Sequence, residues 1–238
     1  MPDVTVAFVA TDAGLVHADK EPFALNTNKT LSDLRDPDTV LVPCGPGQVD
    51  LMHDEVVLSW LRGAHASSTW TTLVCTGSLI LGAAGLLDGK RATTHWLAVE
   101  QLAGLGAIPV SERVVFDGKV VTAAGVSAGI DMALALTSEL AGPDVAQIIQ
   151  LAIEYDPAPP FDSGSPAKAP QHVSEYLRAN SRFILEGDGH RDAQLWDRHR
   201  DLEPDASCLG ASGNRRLNRP TPKPRPTHRC RYVLAPCC

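Results

Sequence analysis

Aromatic residues are scarce, at 5% of 238 positions, so any core must rest mainly on Ala, Val, Leu and Ile. A hydrophobic share of 44% is enough to build one of domain size. Long apolar runs are missing too. No stretch approaches the roughly 20 residues needed to cross a bilayer, and Met1-Pro2-Asp3 does not open a secretory leader. A soluble, cytoplasmic protein without membrane contact is expected. No Cys-x-x-Cys occurs, and four of the six cysteines (Cys208, Cys230, Cys237 and Cys238) crowd the C-terminal end, which excludes a zinc pattern and a disulfide framework. Basic residues are scarce outside that end. Residues 204–238 hold seven Lys/Arg against Asp205, a net +6, which leaves −13 of the overall −7 for residues 1–203. An acidic body makes nucleic acid an unlikely main partner.

What is present is an alternation of strands and helices. Val4–Ala10 and Val40–Pro43 read as strands, with a short hairpin or extended excursion expected over the long connection 11–39. Apolar residues at helical spacing over Asp50–Leu61 predict a crossover helix leading into the buried strand Trp70–Val74. A helix over Leu79–Leu87, a short strand over Ala92–Thr94 and a short helix over Ala98–Leu105 follow. Asp117-Gly118 between two β-rich runs, Val114–Phe116 and Lys119–Thr122, marks a hairpin. Helices are then expected over about Ile130–Leu140, Pro143–Tyr155 and His172–Leu185. The pattern predicts a mostly parallel sheet covered by helices on both faces. Residues 204–238, with six prolines and almost no periodicity, read as a disordered basic tail.

Cys75 falls at the junction of strand and helix, in Val74-Cys75-Thr76-Gly77-Ser78. A buried cysteine often only fills space. Here Gly77 and Ser78 permit a sharp turn, and ligands bind at the C-terminal ends of parallel strands, so the position favours a nucleophile. A second strand end carries Pro43-Cys44-Gly45-Pro46-Gly47. It is either a plain connecting turn or a source of backbone N–H groups that, with the N–H of Thr76, form an oxyanion hole.

Three blocks together carry a family resemblance: Val74-Cys75-Thr76-Gly77-Ser78-Leu79-Ile80-Leu81-Gly82-Ala83-Ala84-Gly85 with Arg91-Ala92-Thr93-Thr94-His95-Trp96, Leu41–Gly47, and Val121–Asp131 with Asp156–Pro166. Over about residues 4–170 the chain resembles the ThiJ/PfpI superfamily of class I glutamine amidotransferase-like proteins, and within it the isonitrile hydratase branch. The resemblance implies an α/β flavodoxin-like three-layer sandwich over 1–170, followed by a helical extension over 171–203. It implies that Cys75 and Thr76 are catalytic, and that isocyanides are hydrated to N-substituted formamides without metal or organic cofactor. Gly45, Gly47, Gly77, His95 and Ser127 are the oxyanion and substrate-binding candidates. The implied partners are a small-molecule substrate and a second copy of the chain.

The resemblance also implies a departure. Members open on a further strand and helix, with a Leu-Asp-Phe-x-Gly-Pro-like segment whose acidic residues approach the nucleophile. This chain opens on what resembles the second strand, so it is expected to be N-terminally truncated by a unit of roughly 25–35 residues. An apolar sheet edge open to association and a nucleophile without its usual carboxylate would follow.

Other candidates have blander readings. His95 is more simply a partly buried histidine satisfied by a carbonyl, beside a packing Trp96. Asp131 reads as a first-turn helix carboxylate, Asp19 and Glu21 as solvated charges, and Gly187–Asp192 as a surface loop rather than a metal site. Besides the hydratase, two functions are weighed. A non-catalytic sensor or interaction module like those of AraC-type regulators shares the Cys-Thr-Gly and Thr-His-Trp blocks, but no helix-turn-helix pair is seen over 171–238. A protease or deglycase is disfavoured because Thr76 stands where such members carry a histidine.

Overall fold

A computed structural model of the chain describes residues 4–17, 24–45 and 47–181. Near the N-terminus are β1 (Val9–Ala10), β2 (Gly14–His17), β3 (Ala24–Thr27) and β4 (Lys29–Thr30). β1 and β4 form one parallel pair, and β2 and β3 an antiparallel hairpin. The strand expected over Val4–Ala10 is thus cut to its last two residues. Its alternation is intact, but among the described residues no strand pairs with 4–8, and Val4, Val6 and Phe8 are exposed. An apolar pattern makes a strand only where a ladder receives it.

The main sheet follows. β5 (Thr39–Val42) leads through α1 (Gln48–Leu51) and α2 (Glu55–Ser67) to β6 (Trp70–Val74) and α3 (Gly77–Ala83). β7 (Arg91–Ala92), α4 (Val99–Gly104) and β8 (Ile108–Pro109) precede the hairpin of β9 (Val114–Asp117) and β10 (Val120–Ala123). α5 (Ala128–Ala141), α6 (Pro143–Ala152) and α7 (Gln171–Ala179) complete the described chain. The sheet order is β5-β6-β10-β9, with β5–β6 and β6–β10 parallel and only β10–β9 antiparallel. The predicted mostly parallel sheet is present.

Register explains its two faces. Val40, Val42, Leu73 and Val120 share one face and pack with Leu58 and Leu61 of α2, Leu79 to Leu81 of α3 and Leu102 of α4. Val121 and Ala123 lie on the other, against Ala128 and Met132 of α5. Three layers result. Leu41 belongs to the second face yet is exposed, because the cover formed there does not extend over β5, the edge strand.

One local expectation is corrected, and the expected hairpin is present with its loop defined. The single helix predicted over 50–61 is two, because the Asp54 carboxylate accepts from the N–H groups of Val56 (2.9 Å) and Val57 (3.3 Å) and so starts α2 afresh. In the hairpin Asp117 is the last paired residue, opposite Val120, so the loop is Gly118-Lys119 with Gly118 at φ 62°. Glycine in the first loop position suits a type II′ turn. The end of the predicted last helix and the tail 204–238 lie outside the described residues.

Candidate active site

Parallel strands deliver their C-terminal ends to one rim of the sheet, and the site candidates start there. β6 ends at Val74, and Cys75 reverses the chain with φ 58°, a left-handed conformation rare for a residue with a side chain. The surroundings over-determine it. The Cys75 N–H donates to the Ala123 carbonyl of β10 at 2.9 Å. Its own carbonyl accepts from Ser78 N–H (3.3 Å), Ser78 Oγ (2.8 Å) and Thr94 Oγ1 (3.0 Å). Cys75 is 3% exposed.

Gly77 is demanded by close approach. A Cβ there would lie 2.8 Å from the carbonyl oxygens of both Val42 and Pro43, so α3 starts directly against the end of β5. Gly45 and Gly47, just beyond β5, thus lie on the side of the elbow. Gln48 N–H donates to the Gly45 carbonyl at 3.1 Å, and the buried Gln48 side chain accepts from Thr76 Oγ1 at 3.5 Å. Gly47 differs: an added Cβ would meet open space, so packing does not require a glycine there.

His95 lies one residue past Thr94, whose hydroxyl holds the elbow. Its ring is half-buried, with Nδ1 accepting from Leu97 N–H at 3.3 Å, and burial pulls its pKa below the usual histidine value. A backbone N–H, rather than the expected carbonyl, satisfies it. The neighbouring ring is Trp96, over which the Arg178 guanidinium stacks at 5.0 Å. A Cβ on Gly125, in the loop after β10, would come within 3.9 Å of the imidazole, so His95 packs beside that loop. Ser127 is exposed on the same loop, but its hydroxyl accepts from Arg113 at 3.3 Å. Arg113 also pairs with Asp131, which accepts from Tyr155 Oη at 2.8 Å. Asp131, expected as a first-turn carboxylate, is engaged in that exposed cluster.

Gly45, Cys75, Thr76 and Gly77 therefore come together, His95 joins them through Thr94, and Ser127 is turned toward Arg113. Two participants were not anticipated. Gln48 gave no signal, because a glutamine opening a one-turn helix looks like surface. Thr94 was visible only as part of the Thr-Thr-His-Trp block. Among the described residues no group of three or more His, Cys, Asp or Glu is arranged to hold a metal ion. Gly187–Asp192 lie outside those residues.

The sequence profile of the DJ-1/PfpI family matches residues 2–139, the stretch that builds this sheet and elbow. The chain belongs to the DJ-1/PfpI family. It is 50% identical over 178 residues to an isonitrile hydratase of Pseudomonas putida, covering 75% of this chain and 78% of that one. The crystal structure of a ThiJ/PfpI family protein from Pseudomonas syringae superposes with a TM-score of 0.72 at 38% identity, over 76% of this chain and 75% of the other. The expected flavodoxin-like sandwich is therefore the fold of this DJ-1/PfpI domain. An HTH-type transcriptional regulator of Pseudomonas aeruginosa, CdhR, is 31% identical over 58% of this chain, which spans only 41% of that protein.

Proposed function

We propose that this DJ-1/PfpI protein is a cysteine-dependent isonitrile hydratase. The observation that carries the reading is the left-handed Cys75 elbow with buried Thr76 beside it, in a chain 50% identical over 178 residues to an isonitrile hydratase. Cys75 Sγ bonds to the terminal carbon of the isocyanide while that carbon gains a proton, giving a thioimidate. Water, oriented by the Thr76 hydroxyl, adds across the C=N bond, its oxygen to the same carbon and a proton to the nitrogen. Backbone N–H groups of Gly45 and Thr76 hold the charge that develops. Collapse breaks the C–S bond, returns the thiolate and releases the N-substituted formamide. His95, whose pKa burial lowers, and Gly47 are the substrate-binding candidates beside the elbow, Gly77 sets the approach of α3 to β5, and Ser127, held by Arg113, shapes the loop after β10. The working unit is a homodimer in the cytoplasm. No helix among the described residues is long and apolar enough to cross a membrane, and apolar side chains at Val4, Val6 and Phe8 are exposed, as a self-associating chain would have them.

The test is formamide production from a simple alkyl isocyanide. Wild-type protein is expected to turn over and Cys75→Ala to fall by at least about 10³-fold, as when a covalent nucleophile is removed. Equal rates would end the catalytic reading. They would favour the second one, a non-catalytic sensor module, which the likeness to CdhR supports.

A further inference from the structure

Cys44 and Cys75 follow the ends of adjacent parallel strands, and the proposed hydration uses only one of them. Val42 of β5 pairs in parallel register with Leu73 of β6, and Cys44 and Cys75 each stand two residues beyond that pair. At that last ladder pair the strands run about 4.8 Å apart, a spacing inside the roughly 4.4–6.8 Å Cα separation that a disulfide spans. The Gly77 contact, 2.8 Å from the Val42 and Pro43 carbonyls, holds the two strand ends together beyond the last ladder pair. Cys75 is buried and Cys44 partly exposed, so Cys44 stands on the solvent side of the pair.

We propose that Cys44 and Cys75 form a reversible disulfide that switches the site off under peroxide. The inference rests on Cys75 being the reactive thiol of the proposed function. The Cys75 thiolate attacks hydrogen peroxide: an S–O bond forms, the O–O bond breaks, and hydroxide leaves and is protonated to water. Cys44, giving its proton to solvent, then attacks the sulfenic sulfur of Cys75. The S–S bond forms, the S–O bond breaks and a second water leaves. Two thiols lose two electrons together and one peroxide gains them. Closing the bond withdraws the nucleophile and protects it from irreversible oxidation to sulfinic acid. A dithiol reductant restores it.

Peptide mapping of the full-length protein tests this directly. Cleavage after Lys and Arg puts Cys44 in residues 36–62 and Cys75 in residues 63–90, each peptide with a single cysteine. After hydrogen peroxide in severalfold molar excess and alkylation without reductant, these two peptides are expected as one species, two hydrogens lighter than their sum and split by dithiothreitol. In Cys44→Ser the species vanishes and Cys75 gains two oxygens instead, while dithiothreitol recovers at least about tenfold less hydratase activity than in wild type. The wild-type map stands alone should that variant not fold. Cys75 gaining two oxygens equally in both proteins, with Cys44 fully alkylated, would overturn the switch and leave the nucleophile standing. So would Cys44 linked to a cysteine beyond residue 200. A Cys75 peptide untouched by peroxide would overturn the switch, and inactivity of wild type toward isocyanide would separately sink the hydratase reading.

Discussion

Cys75 holds a backbone conformation that glycine would adopt more easily. A left-handed non-glycine residue carries of order 1–3 kcal/mol of strain, and three donors to its carbonyl with one acceptor for its N–H offset it. Cys75→Gly is therefore expected to unfold at higher urea than Cys75→Ala, by about 1 kcal/mol, with both inactive. The reverse order would mean that the turn is not strained. Histidine gives a pH signature at the same scale. Burial lowers the pKa of His95 below the ordinary 6.5, and protonating Nδ1 would break its bond from Leu97 N–H. The unfolded chain then binds more protons, so stability is full above pH 6.5 and falls as pH drops from there toward the folded value. Chemical denaturation between pH 7 and about 5 should show that slope, and His95→Asn, whose amide oxygen can still accept, should flatten it. His65, lowered by burial and then by Lys119 and Lys90, keeps its own share of the slope in that variant.

At the scale of elements, the site is an agreement between three strand ends. β5 supplies the Gly45 turn, β6 the elbow, and β10 the carbonyl that anchors Cys75, while Thr94 after β7 ties in from the side. Gly77→Ala would push a methyl into two backbone oxygens that cannot swing away. It should destabilise the fold by about 1–3 kcal/mol and lower kcat by shifting α3 from β5. An unchanged urea midpoint would show that the β5–α3 contact is looser than drawn. Thr94→Val should weaken the elbow more mildly, by about 1 kcal/mol, since Ser78 still donates to the same carbonyl. The Cys-Thr-Gly block made the elbow legible in the sequence, because only a small residue fits at 77. The meeting of the Gly45 turn with Thr76 was foreseen from the two strand ends, but the Gln48–Thr76 link was not legible, since it joins residues 28 apart and no local pattern records it.

For the whole molecule, β5 at the sheet edge, exposed Leu41 and residues 4–8, with which no strand pairs among the described residues, leave apolar surface that the described residues do not cover. Light scattering coupled to size exclusion should report twice the chain mass at micromolar concentration. A compact, stable monomer would contradict the dimer. The four strands of the main sheet and the helix order were legible because alternation and helical spacing are local. The fate of Val4–Ala10 was not, because its pattern says only that it can be a strand, and a missing partner is a non-local fact.

The amino-acid sequence by itself determined the alternating architecture, the small residues after Cys75 and the motif set that places the chain in its family. These depend on side-chain periodicity and on which residues permit a tight turn. Only the tertiary structure decided which of the marked residues meet. It joined Gln48 to Thr76 and to the Gly45 carbonyl, and turned Ser127 and Asp131 toward Arg113. Such meetings depend on strand register and on the close approach at Gly77, which arise only once the sheet is assembled.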